Sequence, residues 1–187
     1  MLQVKHDQYI FPPRANLCLP RHELDCLNED WWCQYKFNDS RLLLKYLPSG
    51  EIQFWNRHAE RFRTYHAPNW LIAQLREIQT KLGLPKGEYH LLDGGLLEQK
   101  HQAIKDTVVI WDILVRSGEH LIGTTYAERY NSLFDSQPDI PWSYTHKDCG
   151  PIRFGTTLSE NIFFPQNLPS REAAWKIVET VNAPFTI

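Results

Sequence analysis

No Cys-x-x-Cys pair occurs in the chain, and its four cysteines (Cys18, Cys26, Cys33 and Cys149) share no zinc-type spacing with histidine. A metal-organised fold is therefore not expected, whereas free thiols in a reducing cytosol are. Long apolar runs are missing too: nothing approaches the roughly 20 residues of a membrane span. The opening Met1-Leu2-Gln3-Val4-Lys5-His6 lacks the apolar stretch of a secretory signal. These absences predict a cytoplasmic or nucleoid-associated protein without a membrane partner. An excess of one charge is also lacking. Twenty basic residues face 22 acidic ones, a net −2, so there is no whole-chain electrostatic footprint for nucleic acid. Tight DNA binding by this chain alone is not expected, although Arg57, His58, Arg61 and Arg63 crowd one short stretch. Repeats, low-complexity tracts and linkers are absent as well.

What is present suits one globular domain spanning 1–187. Apolar residues make up 42% and aromatic residues 13%, with seven Trp, enough for a sizeable core with some rings left over as stacking surfaces. Residues 1–30, with Pro12-Pro13 and Pro20, read as an extended lead-in that wraps the domain. Strands are expected at 31–37 and 41–46, the second paired as a hairpin with 52–56 through Pro48-Ser49-Gly50. Leu71, Leu75, Ile78 and Leu82 are spaced 4, 3 and 4, one face of a helix that Gly83 ends and Pro85 keeps from resuming. A strand is expected at 89–92. Another at 107–114 is apolar on both faces and belongs in the centre of a sheet. Thr125 starts a helix, and 135–155, with Pro138, Pro141, Gly150 and Pro151, reads mostly as loop. A strand at 160–164 and a helix capped by Ser170 complete an α+β order of elements.

The sharpest chemical feature is Gln34-Tyr35-Lys36-Phe37-Asn38-Asp39-Ser40-Arg41. A lysine at the end of an apolar strand is partly desolvated, which lowers its pKa and exposes a neutral amine able to attack phosphorus. The plainer reading of Lys36 is a solvated charge at a strand end.

The surrounding pattern bears on that choice. Lys36 to Arg41 resembles the Lys-x-Asp-Gly-x-Arg signature of covalent nucleotidyltransferases, the ATP-dependent DNA ligases and mRNA capping enzymes. Further landmarks follow in family order: Asn56-Arg57-His58, Leu91-Leu92-Asp93-Gly94-Gly95-Leu96-Leu97, Val108-Val109-Ile110-Trp111-Asp112-Ile113-Leu114, Gly118-Glu119-His120-Leu121, then Glu128-Arg129 with Leu133. The resemblance spans about residues 10–185. It implies an ATP-grasp-like ligase adenylation core of antiparallel sheets with inserted helices, acting as a monomer. It further implies ATP and Mg²⁺ as cofactors, a lysyl-AMP intermediate at Lys36, nicked DNA as partner, and a place in DNA repair or replication. Gln34 and Tyr35 would bind the nucleotide, Gln34 by reading the base edge, and Arg41 would bind ribose or a 5′-phosphate. Arg57 would hold a phosphate or sugar oxygen, and Trp111 would stack on the purine. Arg61 and Arg63 would extend the surface toward DNA. Each has a plainer alternative: a strand amide for Gln34, a surface ion pair for Arg41, a core ring for Trp111, and a solvated hairpin edge for Arg61 and Arg63.

Three departures from the family pattern stand out. Asn38-Asp39 replaces Asp-Gly. Gly95 stands where the family carries Glu, leaving Asp93, on the same strand face, as the substitute metal ligand. The chain also ends before the last lysine motifs and before an OB-fold domain, so the full catalytic set is not expected within it. Two rival functions follow: an RNA ligase of the same superfamily, separated by the nicked substrate it seals, and a degenerate, non-catalytic nucleotide-binding module, separated by the absence of a covalent adduct.

Overall fold

A computed structural model of the chain describes residues 2–12, 20, 22–23, 31–35, 37, 39–98, 104–134, 137–138, 140–146 and 150–168. The expected helix beginning at Ser170 lies outside the described residues, as do Lys36 and Asn38. Among the described residues the elements run β1 (Leu2–Gln3), β2 (Ser40–Tyr46), β3 (Ile52–Trp55), α1 (Asn69–Lys81), β4 (His90–Leu97), β5 (Thr107–Arg116), β6 (Glu119–His120), α2 (Tyr126–Phe134), β7 (Pro141–His146), β8 (Gly150–Ser159) and β9 (Ile162–Pro165). The class is a mostly-sheet α+β fold. One sheet has the strand order β3-β2-β4-β5-β9-β8-β7, with β6 pairing the end of β5 and β1 pairing β6. Every pairing is antiparallel except β5 with β9.

Local chemistry sets these elements. The β2–β3 turn closes at Gly50, whose φ of +84° is left-handed. The α1 positions Leu71, Leu75 and Ile78 are fully buried. Its C-terminus is a Schellman motif, with Gly83 N–H donating to the Thr80 carbonyl (3.1 Å) and Leu84 N–H to that of Gln79 (3.0 Å). The start of α2 is a capping box: Glu128 accepts from Thr125 N–H at 2.6 Å, and Thr125 Oγ1 accepts from Glu128 N–H at 3.2 Å. β4 is buried along its whole length and β5 nearly so, because each has a strand on both sides and side chains packed on both faces.

Two expectations need correction. Residues 135–155 are not mostly loop: β7 and much of β8 lie there. The prolines misled, since Pro141 is the first residue of an edge strand, where a missing N–H costs no ladder bond. Among the described residues of the expected strand 31–37 only single bridge positions occur, Cys33, which pairs antiparallel with Leu168, and Phe37. Its side chains divide between two neighbours instead. Trp32 packs edge-on against Tyr126 and Tyr130 of α2, and Tyr35 and Phe37 pack against Phe154 of β8.

On one face of the sheet a large apolar core joins Leu42, Leu44, Leu92, Leu96, Val108, Ile110 and Phe164 to α1 and to Leu133 of α2. The other face carries two smaller apolar clusters. One surrounds Leu43, Leu91 and Val115 under the N-terminal residues Val4, Tyr9 and Ile10, and the other surrounds Phe37, Leu97, Val109 and Phe154. No described helix is long and apolar enough to cross a membrane.

Candidate functional site

The face with two small clusters holds the polar residues singled out by the sequence. Strand alternation puts Arg41 and Leu43 on one side of β2, with Asp39 just before the strand, and Asp93, Gly95 and Leu97 on the same side of β4. In the ladder Arg41 lies opposite Gly95, and Leu43 opposite Asp93. From its place opposite Gly95 the Arg41 guanidinium reaches Asp93 diagonally. Arg41 Nε donates to Asp93 Oδ1 at 2.6 Å, and Nη2 donates to Oδ2, closing a bidentate pair. Asp93 is buried, with 3% of its surface exposed. Burial pushes its carboxyl up to about 6, against the opposing pull of Arg41.

Trp111 completes this cluster from β5. Its placement depends on an irregularity in the β4–β5 ladder: Gly94 pairs with Ile110, but Asp93 pairs with Asp112. Trp111 is therefore the extra residue of a bulge, which re-aims a side chain. The half-buried ring packs against the Phe37 cluster, and the Arg41 guanidinium carbon stands 5.1 Å from its centroid, in cation–π range.

Gln34 joins the cluster through α2. Its Nε2 donates to the Tyr126 hydroxyl at 2.6 Å and to Asn167 Oδ1 at 2.5 Å, and the Tyr126 hydroxyl donates to the Trp111 carbonyl at 3.1 Å. Burial raises the Tyr126 phenol, keeping it a neutral donor. Tyr35 stands edge-on to Phe154 with ring centroids 4.8 Å apart.

Gln34, Arg41, Asp93 and Trp111 are thus drawn into one linked region. Arg57 is exposed in the turn after β3, its Nε 3.1 Å from Nε2 of His58. Arg61 and Arg63, one strand further out, lie against Glu51 and Glu60 at 3.3 Å each. Such exposed pairs are worth about 0–1 kcal/mol, so both guanidinium groups remain exchangeable. Lys36 itself falls outside the described residues, between two that pack on Phe154.

Sequence reasoning passed over several residues. Asp112, beside Trp111, accepts from Arg129 Nε and Nη2, both at 2.9 Å, which ties α2 to β5. Lys45 is fully buried, donating to the His6 and Gln8 carbonyls at 3.2 Å each and standing 4.1 Å from the Trp55 ring centroid. Tyr126 and Asn167 orient Gln34. None had a usable local signal: an Asp and an Arg 17 residues apart in a strand and a helix are a plausible pair only once the packing is known.

Both Asp93 oxygens face Arg41, and among the described residues no group of three or more His, Cys, Asp or Glu is arranged to hold an ion.

No family model matches the chain, and no curated protein matches it. Among solved structures it is similar to the ligase domain of LigD from M. tuberculosis, with 16% identity and a TM-score of 0.46 over 79% of this chain and 45% of that one. It is also similar to a mycobacterial DNA ligase D complexed with ATP and MES, with 17% identity and a TM-score of 0.44 over 77% of this chain and 42% of that one. The chain spans less than half the length of either structure.

Proposed function

We propose that the chain is an ATP-dependent nucleotidyltransferase of the DNA ligase type, its sheet forming an ATP-grasp-like adenylation core. The Lys36 amine attacks the α-phosphorus of ATP, the α–β bridging bond breaks, and pyrophosphate leaves. AMP, held as a lysyl phosphoramidate, then passes to the 5′-phosphate at a nick. The 3′-hydroxyl displaces AMP from that phosphate, and the phosphodiester bond is sealed. Magnesium enters with the triphosphate as part of the Mg–ATP substrate. The partners are ATP and a nicked DNA duplex, met as a monomer in the cytoplasm or nucleoid.

The observation that supports this reading most is convergence. Arg41, Asp93 and Trp111 come from three separated stretches of sequence and meet on one face of the sheet, and Gln34 is tied to the Trp111 carbonyl through Tyr126. A packing role for each alone would not require a shared face. On this reading Trp111 offers an aromatic plane for the base, Gln34 an amide held in orientation by Tyr126 and Asn167, and Arg41 a cation for phosphate or ribose oxygens. Arg57, Arg61 and Arg63 form the basic edge that meets the duplex.

One observation favours a second reading, a reversible nucleotide-binding module. A side chain at position 95 would meet Asp39 and Trp111, so the carboxylate that the resemblance expects there on β4 is missing. Intact mass after incubation with ATP and magnesium separates the two. A ligase-type enzyme gains the mass of one AMP, and Lys36→Ala does not. Binding of ATP without an adduct on the parent chain selects the module. An adduct that survives Lys36→Ala removes Lys36 as the nucleophile. Sealing of nicked DNA against nicked RNA then fixes the polynucleotide.

A further inference from the structure

His90, the first residue of β4, is fully buried, and both nitrogens of its ring are committed. Nε2 stands 2.9 Å from the Pro85 carbonyl. A carbonyl only accepts, so Nε2 carries the proton. Nδ1 is left bare and accepts from the Ser117 N–H at 3.1 Å. The neutral ring thereby clasps two turns at once, the loop between α1 and β4 and the turn between β5 and β6. The second turn has a left-handed backbone. Ser117, which carries a side chain, holds a φ of +53°, and Gly118 follows at +78°, so bonds from outside the turn help to keep its shape.

The same turn is the dock of the N-terminal residues. Gly118 N–H donates to the Tyr89 carbonyl, and the Gly118 carbonyl accepts from Val4 N–H, both at 2.8 Å. Just beyond, β1 pairs with β6, Leu2 opposite His120 and Gln3 opposite Glu119. From there residues 4–10 run as a strap over the second face of the sheet. Lys45 fastens its middle through the His6 and Gln8 carbonyls. Tyr9 fastens its end, the hydroxyl donating to the Asn56 carbonyl at 2.8 Å. Val4, Tyr9 and Ile10 cover Leu43 and Leu91, the neighbours of Arg41 and Asp93 on that face.

We infer that His90 is an acid-operated catch, its neutral ring holding the β5–β6 turn and, through that turn, the N-terminal strap closed over the sheet. A proton added at Nδ1 turns the acceptor into a donor. Two N–H groups then face each other across the former bond, and the turn is released. The charged groups that bear on the ring are Glu88, before β4, which favours the proton, and Arg116, at the end of β5, which opposes it. β2 presents the Tyr46 phenol, which burial keeps neutral. Burial outweighs Glu88 and holds the imidazole below its ordinary 6.5. The folded chain therefore favours the neutral ring. The catch is shut above the ordinary value and opens as pH falls through the lowered one. It operates whatever ligand the strapped face takes.

The test follows amide hydrogen exchange of the whole chain from about pH 7.5 to about 4.5, corrected for intrinsic rates, beside the ring resonances of His90. Residues 2–10 should lose protection roughly tenfold, the weight of one buried hydrogen bond, at the midpoint of the His90 titration, while α1 stays protected. At the upper pH the ring should be the Nε2-protonated tautomer. His90→Asn keeps an acceptor near the Nδ1 position and cannot take the proton, so its strap should stay protected throughout. A folded His90→Asn chain whose strap still opens assigns the opening to another group, such as His6 within the strap, and overturns the catch. If that variant does not fold, the parent decides. A strap that keeps its protection through the His90 titration, a ring that never titrates while the chain is folded, or a neutral ring protonated at Nδ1 would each overturn the inference.

Discussion

On the α1 face of the sheet, Leu42, Leu44, Leu92, Leu96, Val108 and Ile110 meet apolar partners from both helices. On the opposite face, the alternate residues of the same strands set Asp39, Arg41 and Asp93 beside two separate apolar clusters. Both faces are closely packed, but what holds each differs. The first rests on buried apolar area, about 1.5–3 kcal/mol for each large side chain. It tolerates replacement by shapes of similar volume. The second contains an ion pair whose Asp side chain is 4% exposed and whose Arg side chain is 25% exposed. Such a pair adds little net stability but is costly to leave half-made. The contrast separates a face held by apolar area from a face whose packing includes a buried ion pair.

Breaking the pair should give the largest effect. Arg41→Ala leaves the Asp93 carboxylate buried without its counter-charge, and unfolding at pH 7 should show a loss of about 3–5 kcal/mol. Arg41→Ala with Asp93→Ala should recover much of that loss. A double variant as unstable as Arg41→Ala would mean that lost packing, not the unpaired charge, is responsible. On the scaffold face, Leu75→Ala removes a fully buried side chain from α1 and should cost about 2–5 kcal/mol. Unlike the Arg41 defect it should not depend on pH, because no charge is exposed or stranded; denaturation at pH 4 and pH 7 checks both.

The smallest effect sharpens the contrast through pH. Burial raises Asp93 to about 6, above an unfolded value near 3.8. A carboxyl raised on folding holds its proton more tightly in the native state. Its contribution to stability is therefore complete below the unfolded value and is lost as pH rises through the folded one. The parent should lose stability between about pH 4 and 6, at no more than about 1.4 kcal/mol per pH unit from this group. Asp93→Asn should flatten that part of the profile, measured as the urea midpoint against pH. An unchanged slope in Asp93→Asn would assign the titration to another group.

The amino-acid sequence alone determined the elements with a clear period or a chemical stop. The 4, 3, 4 spacing of α1 and its Gly83 terminus, the β2–β3 hairpin around Gly50, the doubly apolar β5, and the Thr125 start of α2 were all legible. Each is governed by interactions within a few residues, so the information is local. The resemblance singled out Lys36, Gln34, Tyr35, Arg41, Arg57, Trp111 and Asp93, with Arg61 and Arg63, as a set. Tertiary structure decided what those residues meet. β7 and β8 were hidden because Pro and Gly read as breakers, whereas edge position makes Pro141 harmless and close strand approach calls for Gly155, where a Cβ would strike the Phe164 carbonyl. Lys45, on the β2 face that carries Leu43, is buried because the N-terminal segment covers it. Asp39 and Gly95 looked like two unrelated departures, 56 positions apart in the chain. Only β2–β4 pairing, a long-range contact that no local propensity encodes, puts the carboxylate of one into the space left by the other.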